Sequence, residues 1–448
     1  MSDFPKRLLE DISGFPTFGP AEALAEEHML GVIRKHFARA GYAPLETPLV
    51  ERPEVLSAKG DGEIATQIYG LRLLNPAEGE GDEKDLALRF DHTIPLARYI
   101  ATHTRELAFP FRRSAIGKVV RGERAKDGRY REFLQADIDA IGHGELSPLH
   151  DAEMVALIAG IFAELDFGPF TVRINNRKVL AAIIRHMGGA EETVPEIMRA
   201  LDRLDKVGVE KTCAALVAHG MKEDGAKQML EFLSTARSVP ETLAFLSSAG
   251  LDAEGAHGLA ELNQVIAGIE ALGVPPERYT IDLAIARGLS YYTGSVFETR
   301  LDEHPDLGSI ASGGRYDDLT SAFAKEKYPG VGISIGVTRL LLRLIKAGLL
   351  EARVETPARV LVTSAERDRL ADYLNYAKEL RAAGINAEIY LEDKSLDKQL
   401  AFADKKGFPF ALIALREHFD RGTLILRNLG TGEQKEIPPA DLTRVFES

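Results

Sequence analysis

Between Ile64 and Ile141 the chain passes through short apolar runs divided by charge-rich turns: QIYGLRLL, LALRF, FRRSAIGKVV and FLQADIDAIG. Runs of this length and spacing predict an antiparallel sheet built from hairpins, with few helices among the strands. A helix precedes this region. Pro20 leads into AEALAEEHMLGVIRKHFARAG, whose Leu24, Met29, Leu30, Val32, Ile33 and Phe37 recur at helical spacing, and Gly41 ends it. YAPLETPLVE then alternates and carries two prolines, which reads as a strand with a fixed, extended exit.

After the hairpins the pattern predicts a helix over about 150–165 and a strand over 170–174. Residues of about 180–275 are rich in Ala, Leu, Glu and Lys with helical periodicity, and so read as a mainly helical insertion. Strand-type sequence returns at YTIDLAIARGLSYYTGSVFETR, ASGGRYDDL and GVGISIGVTRLLLRLIKAGLL, the last running into an apolar helix. EARVETP, residues 351–357, reads as a linker. Beyond it RVLVTS, a helix, AEIYL, a second helix and FALIAL alternate as a small α/β domain does. The expectation is an α+β protein with domains at 1–357 and 358–448.

Composition narrows the function classes. The 448 residues hold 55 Lys and Arg against 68 Asp and Glu, a net charge of -13, which argues against indiscriminate coating of nucleic acid. The single cysteine, Cys213, excludes an intramolecular disulfide framework and a Cys-based zinc or iron–sulfur site. The N-terminal stretch lacks the apolar core of a secretory signal, and no run of about 18 apolar residues exists to span a bilayer. A soluble cytoplasmic protein is expected. Against the acidic whole, Arg112–Arg131 carries eight basic and two acidic residues, a local charge of +6. Arginine suits polyphosphate because its forked donors stay charged; a solvated basic hairpin is the alternative reading of the same residues.

Three further segments carry polar residues where core is expected. ARGLSYYTGSVFE, residues 286–298, sets Arg287 and the adjacent Tyr291 and Tyr292 in a strand-like context, and neighbours on a strand face opposite sides unless a bulge intervenes. Arg339 enters a helix that is otherwise Leu, Ile and Val, where it wants an anion or a stacked ring. Gly330 and Gly332 lack the spacing of a dinucleotide loop and instead suggest close packing around a flat ligand. In LRFDHTIPLAR, Asp91 and Thr93 lie on one face of a short extended segment ending at Pro95, from which they could accept from an ammonium group. Gln135 and Asp139, four apart on a strand, share a face.

In order, these pieces resemble the class II aminoacyl-tRNA synthetases, and within them the histidyl-tRNA synthetase family. GYAPLETPLVE looks like motif 1, VRGERAKDGRYREFLQADIDAIG like motif 2 and GVGISIGVTRL like motif 3. More specific are RGLSYYTGSVFE, which matches the RGLDYYTG-type histidine peptide, and LRFDHTIPLAR, which matches the histidine loop in its eukaryote-like form. YLEDKSLDKQLAFADKKGFPFALI resembles the family's C-terminal anticodon-binding domain. Ser290 departs from the usual Asp of the histidine peptide.

The resemblance implies an enzyme that activates L-histidine with ATP, Mg²⁺ accompanying the ATP and no metal site of the protein's own, and then charges tRNA-His. It implies that Arg121 holds the α-phosphate, Glu123 lies near the adenine or metal end, and Arg339 lies along the γ-phosphate and adenine. Arg287 would stand beside the α-phosphate where other class II enzymes use a metal. Asp91, His92, Thr93 and Gln135 would form the amino-acid site, Asp139 and Tyr292 would bracket the imidazole, and Tyr291 would support the pocket. Motif 1 implies a homodimer. The rivals are a non-catalytic synthetase-like regulatory subunit or sensor, against which the retained Arg121, Arg287 and Arg339 speak, and a synthetase for threonine, proline or glycine, against which the histidine peptide speaks.

Overall fold

The computed structural model describes residues 9–58, 66–72, 74, 85–124, 130–235, 237–285 and 292–446. It divides into two compact units, one of 1–16 with 29–349 and the other of 17–28 with 350–448.

The larger unit is organised by an eight-stranded sheet. Its strands are β1 (Ala43–Pro44), β2 (Phe111–Val120), β3 (Glu132–Ile141), β4 (Phe170–Asn176), β5 (Tyr279–Ile281), β6 (Ser295–Leu301), β7 (Ala311–Tyr316) and β8 (Gly330–Gly336). They lie in the order β1-β2-β3-β8-β7-β6-β4-β5. Every pairing is antiparallel except the two at the margins, β1 with β2 and β4 with β5. Antiparallel sheets tolerate two unlike faces, and this one uses the freedom. Ala136, Ile138 and Ala140 of β3 and Val331, Ile333 and Ile335 of β8 turn inward and are at most 3 % exposed. The intervening residues carry the polar groups described below. Helix α1 (Pro20–Arg39) precedes β1, and helix α3 (Leu149–Leu165) buries Ala152, Val155, Ile158 and Phe162 in this core.

Four readings of the sequence are refined. YAPLETPLVE forms only two short strands, β1 and Val50–Glu51, because Pro44 and Pro48 lack the N–H that a longer ladder needs. Among its described residues QIYGLRLL supplies strand only at Gly70–Leu71, paired with Leu86–Leu88. LRFDHTIPLAR is not extended to Pro95: helix α2 spans Thr93–His103, and Pro95 falls in its first turn, where a missing N–H costs nothing. Asp91 Oδ1 accepts from Ile94 N at 3.2 Å, satisfying one of that turn's free donors. Among its described residues the basic stretch does not form one patch. Arg112 pairs with Glu153, Arg113 turns to the opposite face and is buried, Lys118 pairs with Glu132, and Arg131 Nε donates to the Glu123 carbonyl.

Helices α4 (Arg177–His186) and α5 (Ala253–Ala271) bracket a run of further helices between 194 and 248. α6 (Val337–Lys346) follows β8 directly. In the smaller unit a five-stranded sheet holds Val360–Val362, Ala387–Ile389, Phe410–Ile413, Leu424–Asn428 and Gln434–Ile437, with helices Leu370–Ala382 and Leu396–Lys406. The first three strands are parallel and the last two antiparallel. Val360, Val362, Tyr373, Leu380, Leu412 and Leu424 form its core. Among the described residues no helix is long and apolar enough to cross a membrane.

Candidate active site

Register places the site. On β3, Gln135, Asp137 and Asp139 alternate onto one face, and each stands opposite a small residue of β8: Gln135 opposite Gly336, Asp137 opposite Ser334, Asp139 opposite Gly332. On the other side Arg113 of β2 stands opposite Asp139, and Gly117 opposite Gln135. The result is a floor of short side chains over which longer ones can lie flat. Gly332 requires its bare backbone, since a Cβ there would fall 2.2 Å from Asp139 Oδ1. A Cβ on Gly330 would fall 2.3 Å from the Tyr316 ring. These two glycines make room for protein side chains beside the cleft, which specifies what the close packing at Gly330-x-Gly332 is for.

Above this floor opens a cleft of about 500 Å³. Asp91, Thr93, Arg121, Glu123, Gln135, Tyr292 and Arg339 all line it, so residues spread over nearly 250 positions of sequence meet in one place. A small slot continues from it between Thr93, Asp137, Asp139, Tyr292, Tyr316 and Gly332. Arg287, Ser290 and Tyr291 lie outside the described residues.

One end of the cleft is a set of acceptors. Asp91 is 4 % exposed, and its Oδ2 has no hydrogen-bond partner among the described residues; the same holds for Gln135 Oε1 and Asp137 Oδ1. Burial pushes the Asp91 carboxyl up to about 6, with the Ile94 N–H and Arg121 opposing. Burial also raises Asp137 and Asp139, in both cases against the pull of Arg113. Buried acceptors without donors are costly unless a ligand supplies them. Asp139 differs in its neighbours: Arg113 Nη2 stands 2.7 Å from its Oδ2 as an ion pair outside hydrogen-bond geometry, and Tyr316 Oη donates to Oδ1 at 2.6 Å.

The other end is cationic and aromatic. Arg121 Nε donates to the Phe90 carbonyl at 3.0 Å, and its guanidinium lies over the Phe133 ring, 5.2 Å from the centroid. Arg339 sits in the first turn of α6, whose Thr338 hydroxyl accepts from Leu134 N and ties the helix to β3. Arg343, one turn on, lines the same wall.

His92 is the described candidate that neither the cleft nor the slot receives. Its Nε2–H donates to the Gly117 carbonyl at 3.2 Å, and its ring faces a separate cavity with Phe37, Tyr42 and Arg89. Burial, then Arg113 and Arg89, push its pKa down to about 3, so it is a neutral buried imidazole. It flanks the site without lining it, because Asp91 and Thr93 on either side take the orientations toward the cleft. Residues the sequence reading passed over are Arg113, Phe133, Asp137, Tyr316 and Arg343. Asp137 carried a signal, the same-face spacing already noted for Gln135 and Asp139. Tyr316 carried none, as it reaches Asp139 from a strand 177 positions away, and Arg113 was visible only as one cation of the basic stretch.

An antiparallel sheet bearing a motif 2 arginine on one hairpin and a motif 3 arginine at the start of the following helix is the catalytic fold of the class II aminoacyl-tRNA synthetases. Solved relatives share it even at low identity: the histidyl-tRNA synthetase of S. aureus matches with a TM-score of 0.63 at 21% identity, over 100% of both chains. The family model described as histidyl-tRNA synthetase matches residues 14–340, and that described as an anticodon binding domain matches 358–448. The histidine–tRNA ligase of Nostoc sp. is 43% identical over 442 residues, covering 96% of each chain, and that of Xanthomonas axonopodis pv. citri is 41% identical over 446 residues, covering 96% of this chain and 93% of the relative. The crystal structure of histidyl-tRNA synthetase from Nostoc sp. superposes with a TM-score of 0.89 at 41% identity, covering 98% of both chains. The chain belongs to the histidyl-tRNA synthetase family. Its activity is that of a histidine–tRNA ligase: it converts L-histidine and ATP to histidyl-adenylate and pyrophosphate, then transfers histidine to the 3′ end of tRNA-His.

Proposed function

We propose the following division of labour within the cleft. Histidine's α-ammonium docks on Asp91, Thr93 and Gln135, and its imidazole enters the slot between Asp139 and Tyr292. The observation that carries this is the pair of partnerless buried acceptors, Asp91 Oδ2 and Gln135 Oε1, facing the cleft. An ammonium supplies the three donors such acceptors lack. In the slot, Tyr316 and Arg113 hold Asp139 still, so its remaining lone pairs are preorganised to accept an imidazole N–H. A site built around buried acceptors rejects an isostere without the matching donors by about 10⁴ or more.

ATP takes the other end. Arg121, braced by the Phe90 carbonyl and the Phe133 ring, donates to the α-phosphate; Arg339 lies along the γ-phosphate and adenine. Mg²⁺ arrives with ATP as part of that substrate, and Glu123 beside Arg121 is the carboxylate placed near it. Arg287 and Tyr291 keep their assignments from the family resemblance: the first as a cation at the α-phosphate, the second as pocket support. The chemistry needs no general base from the protein, because the histidine carboxylate is itself the nucleophile. Attack of a carboxylate oxygen on the α-phosphorus displaces pyrophosphate, and the arginines stabilise the charge gathering on the phosphorus oxygens.

The catalytic domain is assigned to residues 1–357 and the anticodon-binding domain to 358–448. A homodimer forms around motif 1, where Leu49, Val50, Leu71 and Leu86 leave apolar side chains about 40% exposed. The enzyme works in the cytoplasm, where uncharged tRNA and ATP meet the translating ribosome. The test is ATP–pyrophosphate exchange with all twenty amino acids and with the Arg287→Ala variant. Histidine alone should support exchange, and R287A should lose roughly 10²–10³ in adenylation rate with little change in histidine affinity. Near-normal rates in R287A would remove that arginine from the mechanism.

A further inference from the structure

We propose that Asp137 is a further substrate-binding residue of this enzyme, a carboxylate anchor for the α-ammonium of the substrate alongside Asp91 and Gln135. It rests on the assignment of the acceptor end of the cleft to the amino acid. Asp137 is 4 % exposed and lines both the cleft and the slot that continues from it. It sits midway on β3 between Gln135 and Asp139, on the same face as both.

The three neighbours differ in what already holds them. Asp139 has Arg113 on one oxygen and Tyr316 on the other. Asp137 has the Ser334 hydroxyl. That hydroxyl accepts from Gln135 Nε2 at 2.7 Å, so its own proton is the one turned to Asp137. Ser334 thus fixes Gln135 and Asp137 together and leaves Asp137 Oδ1, like Asp91 Oδ2 and Gln135 Oε1, without a donor among the described residues. Three such atoms at one end of a cleft form a receptor for a group that has donors only, and an ammonium is that group. Charge agrees. Asp137 adds to the cost of ionising Asp91, while burial raises Asp137 itself against Arg113, Arg121 and Arg89, and a substrate ammonium supplies the positive charge that both carboxylates face into the cleft without.

Two ligands separate this role from general support of the floor. Histidinol keeps the ammonium and imidazole of histidine; 3-(imidazol-4-yl)propionate keeps the imidazole and carboxylate and lacks the ammonium. Both are measured as inhibitors of histidine-dependent ATP–pyrophosphate exchange, on wild type and on Asp137→Asn, with Asp137→Ala as a second variant. Inhibition constants come only from active enzyme, so partial misfolding does not distort them. Loss of a charge-assisted bond predicts that D137N raises the histidine KM and the histidinol inhibition constant about 10- to 100-fold. The ATP KM and the constant for imidazolylpropionate should stay within about twofold, since a ligand without the ammonium never used that bond. Equal weakening of both inhibitors would make Asp137 a support of the floor, and unchanged histidinol binding would remove it from the site; either overturns the proposal. Failure of the underlying reading looks different: Asp91→Asn and Gln135→Ala would then leave the histidine KM unchanged.

Discussion

Asp91→Asn should make the ligand-free protein more stable and its amino-acid site useless. The carboxyl is buried, its Oδ2 lacks a partner among the described residues, and burial lifts its pKa to about 6 from an ordinary 3.8. A rise of that size corresponds to at most about 3 kcal/mol, at about 1.36 kcal/mol per unit. The folded state binds this proton more tightly than the unfolded chain. Its contribution is therefore favourable below the unfolded pKa near 4 and is lost as pH rises through 6. Asparagine keeps the size of the side chain and can still accept from Ile94 N, but it never ionises. In urea unfolding of the ligand-free protein, D91N should therefore exceed wild type by up to about 3 kcal/mol at pH 8, and the gap should narrow to roughly half that at pH 5. Saturating histidine should close the gap from the other side, since about 100 Kd of ligand stabilises wild type by about 2.7 kcal/mol and D91N hardly at all. A D91N protein less stable than wild type at pH 8, or a difference that ignores pH, would refute the claim that this carboxylate is held at a cost for the ligand.

Other perturbations follow from the same geometry. Gly332→Ala forces a Cβ into the space of Asp139 Oδ1 and within 2.8 Å of the Ile138 carbonyl, so it should cost about 1–3 kcal/mol in denaturant unfolding and raise the histidine KM more than the ATP KM. Asp151→Asn breaks a buried pair in which Arg315 Nε and Ser295 Oγ each lie 3.0 Å from Asp151 Oδ2; about 3–5 kcal/mol of stability should be lost, read from the urea midpoint. Leu86→Glu, at the apolar motif 1 surface, should shift sedimentation from twice the chain mass to one chain mass; a variant that stays dimeric places the interface elsewhere.

Much of this was legible in the sequence where a single segment carried the signal. The hairpin strands Phe111–Val120 and Glu132–Ile141, the helix over 149–165 and the helical insertion between 177 and 271 follow from local periodicity. Arg121 and Arg339 were visible because cations stood where apolar residues were due. What escaped depends on long-range register. The buried pair of Arg113 with Asp139 is set by the strand pairing, and Tyr316 reaches Asp139 across 177 positions. The +6 count hides that alternate strand residues face opposite ways: Arg112 meets Glu153, Arg113 meets Asp139, and Arg121 alone of these three lines the cleft. Pro95 misled because a proline in a helix's first turn reads like one that ends a strand.

The central claim is that the acceptor end of this cleft holds the amino acid and the arginine end holds the nucleotide. A crystal structure of the protein with a non-hydrolysable histidyl-adenylate analogue tests it most directly. The ammonium should lie within hydrogen-bond distance of Asp91 and Gln135, the imidazole between Asp139 and Tyr292, and the phosphate-mimicking group against Arg121. An analogue bound the other way round, or an ammonium facing solvent while Asp91 Oδ2 stays without a donor, would contradict it.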